Sequence, residues 1–88
     1  MYYTVYDYFD VQKDSEDTWT VNNQTTMFDD LYLSPDCTDK EILEYFYSNG
    51  YLSTCDMRKV KIDNYGDYME IYAVKDHYPL YGIFANER

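Results

Sequence analysis

Basic side chains are scarce in this 88-residue chain. Seven Lys and Arg stand against seventeen Asp and Glu, a net charge of −10. A field of that sign repels phosphate backbones and anionic headgroups, which excludes direct binding of DNA, RNA or a membrane surface as the expected activity. Apolar runs are only a few residues long, too short to span a bilayer. The opening MYYTVYDYFD also lacks the basic and apolar regions of a signal peptide, so a cytoplasmic location is expected. A single histidine and the absence of any CxxC or HxxxH pair leave no zinc-ligand set. The two cysteines, Cys37 and Cys55, flank a helical segment; in a reducing compartment they are expected as free thiols.

Catalytic signatures are missing as well. There is no GxSxG, P-loop or GxGxxG, and DVQKDSED lacks the glycine and closing glutamate of a calcium loop. Asp29 and Asp30 are adjacent in chain of extended character and so point to opposite faces. His77 sits beside Pro79 in a turn, where an exposed imidazole is expected. The reading is of a protein that is not an enzyme and needs neither cofactor nor metal.

What is abundant is tyrosine and localised acid. Thirteen tyrosines exceed what one small core can use, and tyrosine offers binding surfaces large contact area with few rotatable bonds. Residues 1–57 carry twelve acids against Lys13 and Lys40, while residues 58–88 carry five of each sign. All of the excess charge therefore belongs to the first two thirds of the chain.

The length suits one domain, residues 1–88. YYTVYDYFD alternates as a strand, with Tyr3, Val5 and Phe9 on one side and Tyr2, Thr4, Tyr6, Tyr8 and Asp10 on the other. Asp7 shares the Val5 side, which places it at the exposed end. QKDSED, residues 12–17, reads as a loop, TWTVNN (18–23) as a second strand, and TMFDDLYL (26–33) as a weaker third with a bulge or turn at Asp29 and Asp30.

SPDCTDKEILEYFYSNG has both helix ends signalled, by a Thr38–Glu41 capping box and by Asn49–Gly50. Ile42, Leu43, Phe46 and Tyr47 form its buried stripe and Glu41, Glu44, Tyr45 and Ser48 its outer side. RKVKID (58–63), YMEIYAVK (68–75) and LYGIF (80–84), separated by the turns NYGD and DHYP, predict an antiparallel meander. The expected fold is α+β, an antiparallel sheet of about five or six strands with one helix packed across it, in the order β-β-(β)-α-β-β-β.

YTVYDYFD, WTVNNQ, TDKEILEYF and the closing YPLYGIF resemble small proteins of phages and mobile elements of Gram-positive bacteria. The size, acidity and lack of a catalytic motif are similar to those of anti-CRISPR and other anti-defence proteins, several of which block a nuclease by imitating nucleic acid. That likeness is of type and assigns no residue a role. It implies a non-enzymatic inhibitor that covers a basic groove on a host nuclease, a Cas9-type effector being the most specific expectation. From the residues themselves, the expected contact set is acids that mimic phosphates and tyrosines that replace bases. It comprises Tyr6, Asp7, Tyr8, Asp10, Asp14, Glu16 and Asp17 on the first hairpin, Asp29 and Asp30 beside it, and Asp36, Asp39, Glu41, Glu44 and Tyr45 at the helix. The alternative is an adaptor or assembly protein acting through exposed tyrosines and a sheet edge.

Overall fold

The structure, a computed structural model, describes residues 1–16, 18–52 and 59–86. It is one five-stranded antiparallel sheet with a single α-helix on one face. Its elements are β1 (Tyr2–Ser15), β2 (Thr18–Tyr32), α1 (Asp39–Ser48), β3 (Val60–Asn64), β4 (Tyr68–Ala73) and β5 (Tyr78–Ala85). The strand order is β2-β1-β5-β4-β3, which puts the last strand in the centre.

The side-chain parity expected for the first strand holds through Tyr8. Tyr3 and Val5 are buried under the helix with Ile83, Met69, Ile71 and Val60, while Thr4, Tyr6 and Tyr8 face the opposite way. Phe46 and Ile42 of α1 complete that core, both essentially without solvent contact. The cap forms as read from the sequence. Thr38 Oγ1 accepts from the Glu41 backbone N–H at 3.2 Å, and the Glu41 carboxylate accepts from the Thr38 N–H at 3.2 Å. The expected bulge is also present: Tyr3 pairs with Leu31 and Val5 with Phe28, so Asp29 and Asp30 together oppose Thr4.

Several expectations are corrected. Residues 12–15, read as loop, remain in β1, and residues 18–32 form one continuous strand rather than two. Loop composition yields here because both strands of a hairpin satisfy each other's backbone groups all the way to the turn. Phe9, expected inward, is 47% exposed, because β1 pairs with β5 only over Tyr3–Asp7 and has left the sheet by that point. The DHYP turn is shorter than read: Pro79 lies inside β5, opposite Tyr72 where the β4–β5 register slips, a place where a missing N–H disrupts little. His77 keeps an exposed imidazole edge, with 42% of its side chain open to solvent, but it also has partners. It stacks on Tyr72 with ring centroids 3.8 Å apart and meets the Asp63 carboxylate at 3.2 Å. The strand expected at 58–63 is found at Val60–Asn64, and that at 68–75 ends at Ala73. Asp17, Cys55 and Arg58 lie outside the described residues.

Candidate functional site

Beyond Asp7, β1 is paired to β2 alone, and the two form an arm whose β1 strand extends eight residues to Ser15, about 26 Å of strand. Asp10, in the middle of β1, adopts a left-handed conformation with φ 53°, a geometry that Asp tolerates better than most residues. Its carboxylate accepts from the Asn23 side chain at 3.0 Å. Past this kink the arm turns its apolar side, Val21 and Trp19, onto the sheet face that carries no helix. Trp19 packs edge-on against Tyr78 at 4.9 Å, and its indole N–H donates to the Asp76 carbonyl at 2.8 Å. The Asp76–His77 connection that receives it is itself left-handed at both residues.

The helix-free face is aromatic. Tyr6 meets Phe84 edge-on at 5.5 Å, Phe84 meets Tyr68 at 4.6 Å, and Tyr68 stacks on Tyr65 at 5.7 Å. Tyr8 lies across the backbone of β5 at Gly82, where a side chain would collide with its ring. Tyr68 donates its hydroxyl hydrogen bond to Glu70 at 2.6 Å and is also hydrogen-bonded to Tyr8. Burial, then the neighbouring Glu70 and Tyr8, push the Tyr68 phenol well above its usual range; burial raises Tyr8 as well. Between arm and sheet a cleft of about 160 Å³ is lined by Thr18, Trp19, Val21, Glu70, His77 and Pro79.

Against this frame the expected contact residues separate. Tyr6 and Tyr8 are on the open face, half-buried. Asp7 points to the helix side opposite Tyr81, whose phenol is raised by burial and by that carboxylate. Tyr45 is also on the helix side, 6.3 Å from Phe28. Asp10, Asp14 and Glu16 follow the arm, Asp14 accepting from the Thr20 hydroxyl. Asp29 and Asp30 sit at the bulge, Asp30 within reach of the Asn86 amide at 3.4 Å. Asp36, Asp39 and Glu41 gather where the chain leaves β2 for the helix, at the opposite end of β1 from the arm tip. The acids thus surround the molecule's first half rather than forming one strip on one face. All ten described acids of residues 1–52 are exposed.

Sequence reading missed Tyr65, Tyr68, Glu70 and Phe84. The signal available was parity: Tyr68 and Glu70 alternate with the buried Met69 and Ile71 in β4, but nothing local brings them beside β1.

Among the described residues no group of His, Cys, Asp and Glu is arranged to hold a metal ion, and no helix is long and apolar enough to cross a membrane. No family model, curated protein or solved structure matches the chain.

Proposed function

We propose that this is a binding protein that does no chemistry, an inhibitor of anti-defence type. It acts in the cytoplasm of a bacterial host by occupying a basic, nucleic-acid-binding groove of a nuclease such as a Cas9-type effector. The observation that carries this reading is the exposure of ten carboxylates, Asp7 to Glu44, in a stretch whose only basic side chains are Lys13 and Lys40. Exposed acids speed encounter with a basic surface and set register on it, and such grooves exist to hold phosphates. Tyr6 and Tyr8 supply flat contacts beside them. The phage-type resemblance supplies the class of target.

Affinity purification from a bacterial lysate with identification of the captured protein tests it. A nucleic-acid-handling protein that is released by salt and by competing nucleic acid supports the reading; a partner that binds alongside its nucleic acid refutes it.

A second reading, an adaptor that assembles through its sheet edge, draws on β2, whose fifteen residues are paired with β1 alone among the described residues. Sedimentation decides between them: concentration-dependent self-association favours assembly.

A further inference from the structure

Among the described residues, the trough formed by the arm and the helix-free face is lined by one carboxylate, Glu70, in an unusual setting. It is half-buried, its hydrogen-bond partner is the neutral phenol of Tyr68, and no lysine among the described residues is within ion-pair distance of it. A carboxylate withdrawn from water without a cation is costly, and the cost is recovered when a cation arrives. One flat aromatic face lines the same cleft: that of Trp19, whose ring already attracts the Lys13 ammonium at 5.4 Å.

We infer that this trough is a seat for an arginine side chain projecting from a basic partner protein, with Glu70 as counter-charge and Trp19 as the stacking surface. Guanidinium suits such a site better than ammonium does. It is planar, stacks on aromatic rings, offers a fork of donors to one carboxylate and is more weakly hydrated, so it enters a half-buried site at lower cost. The cleft of about 160 Å³ is of the size to take the end of one such side chain. A metal ion would need several oxygens, and among the described residues Glu70 is the only carboxylate lining the cleft. A second copy of the chain is disfavoured by its own charge of −10. The inference rests on the basic partner of the proposed function and narrows it to one face and one side-chain type. The exposed acids provide attraction at a distance, and the trough provides recognition at contact.

Trp19 is the single tryptophan, so its fluorescence reports on this cleft alone. Blocked nona-arginine and nona-lysine peptides, titrated into the full chain at physiological salt, are the probes. The arginine peptide is expected to change Trp19 emission saturably and to bind at least fivefold tighter than the lysine peptide. Glu70→Gln, which can still accept from Tyr68, should weaken it at least fivefold, whereas Asp67→Asn, in the NYGD turn and outside both the cleft lining and the Asp7-to-Glu44 set, should change it less than twofold. A Trp19 signal that does not respond, equal binding of the two peptides, or a Glu70→Gln protein within twofold of the parent overturns the inference. Should Glu70→Gln lose cooperative melting, Thr18→Lys serves instead: it sets an ammonium in the wall of the cleft and leaves Glu70 untouched, with the same fivefold criterion. These peptide results stand apart from the lysate experiment. Arginine selectivity with no nuclease captured would retain the seat and reject the target, and the reverse pattern would do the opposite.

Discussion

Gly82→Ala tests how the open face is built. Gly82 lies in the central strand between Tyr6 and Glu70, and an added Cβ would fall 2.5 Å from the Tyr8 ring carbon Cζ, closer still to its hydroxyl, and 2.8 Å from Phe84 Cε1. No real non-bonded Cβ contact is that short, so Tyr8 must leave its place over β5 and abandon Tyr68. Overpacking of this kind costs about 1–3 kcal/mol, and the better strand propensity of Ala returns about 0.5–1. A net loss of about 0.5–2 kcal/mol lowers the melting temperature by roughly 3–15 °C in a domain of this size. In a Tyr8→Ala background the main obstacle is gone. There the same Gly82→Ala change should be neutral or stabilising, since Phe84 is partly exposed and can shift. Urea denaturation of the four proteins, followed by circular dichroism, gives the coupling directly. A coupling of at least about 1 kcal/mol is expected; the same effect in both backgrounds, within about 0.5 kcal/mol, would refute the account of Tyr8.

On the helix face, Phe46→Ala should cost about 3–5 kcal/mol, because the ring is fully buried among Tyr51, Tyr81 and the sheet. Thr38→Ala should cost on the order of 1 kcal/mol through loss of the cap; an unchanged melting temperature in either variant contradicts the assignment. The phenols of Tyr8, Tyr68, Tyr72 and Tyr81 are all raised above 10.0, mainly by burial, so the folded state favours their neutral form. The unfolded phenols ionise first. Stability is therefore intact below pH 10 and falls as pH rises past it, with part of the phenolate absorbance appearing only on unfolding. A single normal titration in the folded protein would contradict this. Cys37 is half-buried and its thiol is raised by burial and then by Glu41 and Asp39, so it should react slowly with a thiol reagent until urea is added, with no prior reduction. Labelling that requires a reductant would show that it is not free. Reversing Asp14 and Glu16 to Lys should weaken capture of the partner severalfold or more and shift stability little. The Thr20 bond it removes is exposed, and self-repulsion is relieved.

Local chemistry was legible where neighbours in sequence are neighbours in space. Thr38 and Glu41 are three residues apart, so their capping box and the Ile42–Phe46 stripe follow from helix geometry alone. Alternation in Tyr2–Tyr8 and Tyr68–Ala73 separated the two faces of those strands, because side-chain direction in a strand has a period of two. The paired Asp29 and Asp30 marked the bulge for the same reason: two polar residues interrupt the alternation.

What alternation cannot give is which strand lies beside which. The placement of β5 between β1 and β4 is a non-local choice, made by burying Ile83 between Val5 and Met69, and it alone creates the open face. Gly82 reads in sequence as a weak point in a strand; only the tertiary structure shows it as the space Tyr8 needs. The arm was hidden because polar residues 12–17 carry loop composition, while its strand form depends on mutual pairing and on Trp19 docking fifty-seven residues away at Asp76. Glu70 was an unremarked outward residue of a hairpin until folding set it in one cleft with Trp19. The helix, the face parity and the sign of the surface were legible in the residue order because all three are short-range or additive properties. The tertiary structure decided which aromatics and which carboxylate share a trough, because that depends on contacts between segments whose meeting no local pattern encodes.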